Sequence, residues 1–432
     1  MGRLVRGTLL PRISIPPPGP RSRELSARLA AVEAPGINTL GPGDAASTVW
    51  DEALGANVLD VDGNVYVDLT AGFGAAAVGH RHPAVVAAVV EQTGRLVHGL
   101  GDVAAHPLRV ELAARLAAIA PVDEARVHFA VSGADAVEIA IKTALVASGR
   151  RRILAFDPSY HGVTLGALAV SSRPEFRAPA APHLHPHVVR LPYACPLEHL
   201  DEALAGDDVA AIVVEPVVGR EGVLVPPAGW LSGLAARARR HGTLVVADEI
   251  LTGCGRTGRM FAVEHERVRP DLVCCGKGLG GGMPIAAVVG ERRHLEVWRT
   301  DGEALHTGTF VAHPLAVAGA LAALEVFARE RLVTRAEAIG VRLRRQLAPL
   351  AGRGAVEVRG LGALWGIELA SAAAARQFVA GCRAAGVLVL AGAASGCVVE
   401  LSPPLTITDA QLDAAVAVLA DALADVGSPR RV

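Results

Sequence analysis

Aromatic side chains are scarce in these 432 residues: Phe, Tyr and Trp make up 3%, with three tyrosines in all. Ala, Val and Leu must therefore fill most of the core. Neither sign of charge is in excess. Forty-two Lys+Arg stand against 43 Asp+Glu, a formal net charge of -1, so there is no basic field for nucleic acid and no acidic tail. No apolar run reaches the roughly 18 uncharged residues of a membrane span. Met1–Leu10 carries Arg3 and Arg6 and few apolar residues before Pro11, which argues against a signal peptide. The six cysteines (Cys195, Cys254, Cys274, Cys275, Cys382, Cys397) form no C-x-x-C pair and have no histidine spacing suited to zinc. Reduced, buried thiols in a cytoplasmic protein are expected.

The sharpest shortage is lysine. Only Lys142 and Lys277 are present, so nearly all the basic residues are arginines. Arginine serves wherever positive charge alone is needed, but it cannot lose a proton and attack a carbonyl. Each lysine is therefore a candidate for amine chemistry. Lys142 falls within a helical stretch, seven residues after Asp135, and reads as structural.

What is abundant is apolar sequence: 51% of the chain is hydrophobic, enough for one large domain with a full core and a smaller second one. Residues 1–35 read as a flexible Pro- and Arg-rich arm followed by a short helix over Ser22–Val32. In the next segment, 36–75, Leu59–Asp68 alternates around Asp62-Gly63, a hairpin signal. Residues 76–325 alternate helices with short apolar strands at Val127–Val131, Arg152–Phe156, Ala210–Val214, Thr243–Ala247 and Leu272–Cys275. Such runs between helices imply a buried, mainly parallel sheet and an α/β fold. A helix over about Leu315–Glu330 leads into residues 326–432, where Val356–Ala370 and Val387–Leu401 read as strands and Asp409–Val426 as an amphipathic helix.

In an open α/β sheet, ligands sit beyond the carboxyl ends of the strands. Four polar groupings fall there. Val131-Ser132-Gly133-Ala134 ends a strand and opens a helix, a place for phosphate or simply a turn with Ser132 as N-cap. Asp248 ends a buried strand and needs a partner, either a protonated ring nitrogen or an arginine such as Arg256. Lys277 lies between glycines that allow a flat molecule close approach; otherwise it is a solvated loop lysine. Tyr160-His161-Gly162 offers a stacking ring, or core packing.

These groupings together resemble the class III pyridoxal-phosphate aminotransferases of fold type I. The resemblance is carried by Val131–Ala136, Tyr160-His161-Gly162, Val214-Glu215-Pro216, Ala247–Ile250 with Gly255–Gly258, Gly276-Lys277-Gly278 and Thr309-Phe310, and covers about residues 36–425. It implies a large domain with a mainly parallel central sheet and a smaller α+β domain built from the chain ends. It implies pyridoxal 5′-phosphate as cofactor and amino transfer between a small-molecule amino donor and an oxo acceptor. Lys277 would be the Schiff-base lysine and proton carrier, and Asp248 the partner of the ring nitrogen. Ile250 and Tyr160 would cover the ring faces. Ser132, Gly133 and Ala134 would meet the phosphate. His161 and Glu215 would belong to the same site. Thr309 would reach the phosphate of a neighbouring subunit in a homodimer.

Relatives that use glutamate and 2-oxoglutarate carry an arginine where this chain has Val163, and a second one where it has Glu400. The glutamate that gates the second is Arg220 here, and a glutamine that meets the ring hydroxyl is Leu251. Phe73 matches a pocket-wall position. The cofactor site is thus kept and the substrate site rebuilt, which implies an atypical substrate and an Arg220–Glu400 ion pair of exchanged sign. An amino-acid racemase or epimerase of the same family also begins with α-proton removal and fits these residues. A silent binding protein does not need Lys277 and Asp248 together.

Overall fold

A computed structural model describes residues 4–37 and 47–426. Met1–Arg3 of the N-terminal arm and residues 38–46 of the following segment therefore lie outside the described residues. Seven strands form the central sheet in the order Ala125–Ala130, Ala286–Glu291, Leu272–Cys275, Leu244–Asp248, Val209–Val214, Arg152–Asp157, Val188–Pro192. Only Ala286–Glu291 runs against its neighbours; the other six point the same way. Val209–Val214 is buried along its whole length, as its uninterrupted apolar run requires.

The five expected strands are present with ends shifted by at most two residues, and Val188–Pro192 and Ala286–Glu291 add to them. The helix Gly133–Ser148 lies across the sheet, started by Ser132 Oγ, which accepts the Asp135 N–H at 3.2 Å, and ended by Gly149 at φ 67°.

Two further sheets come from the chain ends. Trp50–Leu54, Asn57–Asp60 and Val65–Asp68 form an antiparallel set, and Val387–Leu388 joins it in parallel to Val65–Asp68. The other sheet is antiparallel, ordered Ala355–Leu361, Leu364–Leu369, Val398–Leu401, Leu390–Gly392. The strand stretch over Val356–Ala370 is a hairpin. It turns at Gly362-Ala363, where Gly362 takes φ 56°, a left-handed conformation that glycine adopts without cost. Val387–Leu401 is likewise broken into three short pieces serving two sheets.

The N-terminal arm is not free. Arg12 exchanges both backbone hydrogen bonds with Val65, and Asn57 and Asn64 accept the N–H groups of Leu9, Ser14 and Ile15. The helix that follows spans Pro20–Ala30. Among the described residues no helix is long and apolar enough to cross a membrane. All six cysteines are free thiols, five of them buried.

Candidate active site

Six of the seven central strands deliver their carboxyl ends to one edge of the sheet, so the loops after them converge. A cavity of about 230 Å³ opens there. One wall is Gly133 and Ala134 at the start of the helix; Tyr160, His161 and Gly162 follow Arg152–Asp157, and Lys277 rises from below.

Asp248 ends its strand with its carboxylate in the cavity. Its Oδ2 lies 2.7 Å from His161 Nδ1, both side chains being buried, and its Oδ1 accepts the Ile250 N–H at 3.1 Å. The ion pair weighed for Asp248, with Arg256, is not made. Arg256 is buried and instead donates to the carbonyls of Pro403 (2.6 Å) and Ala363 (3.3 Å). Glu249 points the other way, as alternation along an extended strand requires. It accepts the Val263 N–H at 2.8 Å and the Thr252 hydroxyl, and burial pushes its carboxyl up to about 7.

Glu215 binds the loops together. Its two oxygens accept the Tyr160 N–H at 2.8 Å and the Gly219 N–H at 2.9 Å. Burial first, and the nearby Asp248 charge as well, raise its carboxyl to about 7.

Lys277 takes φ 42°, an unusual backbone for a side-chain-bearing residue, immediately after Gly276. Its amine lines the cavity. Burial lowers its pKa from the ordinary lysine value and Arg220 adds to that, while Glu400, Asp248 and Glu215 oppose it. A lysine so placed loses its proton more readily and becomes a nucleophile. Cys274 and Cys275 are buried in the strand behind it, their thiols held protonated by burial.

The cavity fits a flat heterocycle carrying a phosphate. Ile250 overhangs it so closely that a Cβ on Gly133 would stand 2.9 Å from Ile250 Cγ2. His161 Nε2 is buried without a partner, while the opposite ring nitrogen fixes the Asp248 carboxylate, a geometry that would suit a protonated ring nitrogen. The first turn of the helix offers N–H groups and its dipole to an anion.

Several expected site residues do not line this chain's cavity. Ser132 acts as N-cap and does not line the cavity. Phe73 is exposed outside it, with φ 59°. Thr309 is exposed too, its carbonyl 2.9 Å from His98 Nε2 of the same chain. The Arg220–Glu400 ion pair is absent. The Arg220 guanidinium lies over the Tyr160 ring, 4.5 Å from its centroid, and 5.9 Å from that of Phe176. Glu400 sits on Val398–Leu401 and accepts the Ser402 hydroxyl at 3.1 Å. The backbones do adjoin, since the Arg220 carbonyl accepts the Ala393 N–H at 2.9 Å, but the aromatic faces draw the guanidinium away. The ion pair made here is Arg173–Glu221, at 2.5 Å, one residue after Arg220. Nothing in the local sequence marks Arg173, because its partner is reached through folding.

An imine-competent lysine and a histidine-backed aspartate at the carboxyl ends of this sheet define a pyridoxal-phosphate transferase. The comparisons with known proteins agree. The family model for class-III aminotransferases matches residues 42–423, and the chain belongs to that family. The acetylornithine aminotransferase of Mycobacterium tuberculosis is 42% identical over 378 residues, covering 87% of this chain and 92% of the relative. The ornithine aminotransferase of Toxoplasma gondii superposes with a TM-score of 0.86 at 30% identity, covering 93% of this chain and 94% of that one. An amine transaminase from an uncultivated Pseudomonas species, solved with pyridoxal phosphate bound, superposes at 0.84 with 31% identity, covering 91% and 98%. The chain is thus a pyridoxal-phosphate-dependent aminotransferase of class III.

Proposed function

We propose that this aminotransferase takes its amino group from a donor with a single carboxylate or from an amine, and passes it to an acceptor other than 2-oxoglutarate. The observation that carries this is Arg220. Its guanidinium lines the cavity and, among the described residues, pairs with no carboxylate. Val163 lines the same cavity where dicarboxylate-using relatives have an arginine, so one carboxylate clamp remains. Relatives named acetylornithine aminotransferase support a donor whose reacting amine is remote from its carboxylate. Pyridoxal phosphate, when bound, supplies an aldehyde and an electron sink. The chain's own share is as follows. With the cofactor bound, Lys277 Nζ would hold it as the unprotonated amine and would carry the proton to and from the substrate carbon. Asp248, steadied by His161, would hold the ring nitrogen protonated. Ile250 and Tyr160 would hold the ring flat, and Gly133 and Ala134 would receive the phosphate.

The test is half-reaction kinetics on Arg220→Ala. A charge-assisted contact to carboxylate is worth about 1.5–3 kcal/mol, so the variant is expected to lose about 10- to 100-fold with amino acids and little with simple amines. Equal losses with both substrate types would remove Arg220 from substrate recognition.

The active unit we propose is a homodimer with shared sites, in the cytoplasm. Thr309 stands outside its own chain's cavity, beside exposed Phe310 and close to the Gly101 backbone that follows exposed Leu100, apolar side chains that a second copy would cover. Six free thiols support a reducing compartment. Mixing inactive Lys277→Ala subunits with subunits inactivated by Thr309→Trp is expected to restore part of the activity. A fully active monomer on size exclusion contradicts the shared site.

A further inference from the structure

The second lysine heads a chain of hydrogen bonds. Lys142 Nζ lies 3.1 Å from His306 Nδ1, and His306 Nε2 lies 2.9 Å from Asp135 Oδ1. An ammonium can only donate, so Nδ1 accepts, the ring proton sits on Nε2, and it is donated to Asp135. The other Asp135 oxygen accepts the Val131 N–H at 2.9 Å. Asp135 belongs to the first turn of Gly133–Ser148, the helix whose N-terminus forms the phosphate wall of the cavity. A carboxylate there is attracted by the helix dipole and repels an incoming phosphate, the two anions contending for the same end of the helix. The chain Lys142–His306–Asp135 answers both difficulties. It fixes the carboxylate on the strand side, at Val131, and sets a positive charge behind it. Trp298 and His128 pack edge-on against the His306 ring, with centroids 5.9 and 6.0 Å away, and leave it little freedom to turn.

We propose that His306, oriented by Lys142, is a positioning residue that keeps Asp135 turned away from and neutralised beside the cofactor phosphate. This rests on the placement of that phosphate at Gly133–Ala134. It also gives the scarce second lysine a reason to be there: its charge is needed at a fixed point on the helix, two turns beyond Asp135 on the same face.

The test measures the affinity of cofactor-free enzyme for pyridoxal 5′-phosphate and for pyridoxal, which lacks the phosphate. Lys142 is exposed, so Lys142→Met is expected to fold. Lys142→Met and His306→Phe should each weaken pyridoxal phosphate about tenfold, the size of one partly screened charge contact, and leave pyridoxal unchanged. Lys142→Arg should keep most of the affinity. Equal weakening of both ligands, or none, overturns the proposal. Ala134→Asp separates the two levels of the argument. If it weakens pyridoxal phosphate selectively while Lys142→Met does not, only the positioning role fails. If Ala134→Asp has no selective effect, the placement of the phosphate fails, and the proposal with it.

Discussion

Lys277→Arg is expected to give a folded protein with no measurable turnover. The fold is expected to survive because three carboxylates offset part of the cost of burying a cation at this position. Glu400, Asp248 and Glu215 all act to stabilise positive charge there, and the side chain opens onto a cavity of about 230 Å³ that can take the larger guanidinium. The chemistry does not survive, because guanidinium stays protonated and cannot act as nucleophile or proton carrier. Loss of the nucleophile and of the proton relay together implies a fall on the order of 10⁴-fold or more. Two measurements decide the matter. Borohydride should fix the cofactor covalently to the wild type and not to the variant. Thermal unfolding without cofactor should differ by only a few degrees between them. Turnover above a trace in Lys277→Arg would show that the reactive amine is elsewhere. Lys142, the one other lysine, stands outside the cavity and is engaged with His306.

Much of this site was legible in the sequence because its residues are local to strand ends. Apolar runs such as Val209–Val214 name the strands, and the polar residue after each run names the loop that faces the ligand. Lys277, Asp248, Tyr160 and Gly133 are legible in that way, Glu215 through the family resemblance, and all line the one cavity. What stayed hidden depends on contacts across the fold. Val188–Pro192 is a half-buried edge strand containing Arg190 and Pro192, so it lacks the apolar run of its neighbours. Ala286–Glu291 is buried but reversed, and no short-range signal gives strand direction. The hairpin Ala355–Leu369 turns on two residues, too brief a break in the pattern to see. Side-chain pairing was the least legible. Arg220 and Glu400 were matched by position alone, but Tyr160 and Phe176 offer the guanidinium ring faces that a positional match cannot register. His306 lies 164 residues from Lys142 and 171 from Asp135, so that chain exists only in three dimensions.

Asp248→Asn is expected to keep the cofactor bound while slowing the amino-donor half-reaction by about 10²- to 10³-fold. Asparagine has nearly the same shape. Its oxygen can still accept the Ile250 N–H, and its amide can meet His161 Nδ1 once the imidazole changes tautomer. The buried pair is therefore rearranged and not broken, and the protein stays folded. What is lost is the negative charge. A charge-assisted hydrogen bond to a protonated ring nitrogen is worth about 1.5–3 kcal/mol, or roughly 10- to 150-fold, before any effect on the electron-withdrawing power of the ring. A second route to the same slowing, through Lys277, can be excluded by sign. Asp248 raises the Lys277 pKa, so its removal leaves more of the amine unprotonated and would favour attack. Asp248 also raises Glu215, so in the variant Glu215 should ionise at lower pH than its present value of about 7. Because Lys277 would also lose its proton at lower pH without Asp248, the pH profile of the residual rate should shift toward acid, while cofactor occupancy, read from visible absorbance, stays near that of the wild type. Wild-type half-reaction rates in Asp248→Asn would mean that this carboxylate does not serve the ring nitrogen. Loss of the cofactor with the rate would instead assign it a binding role.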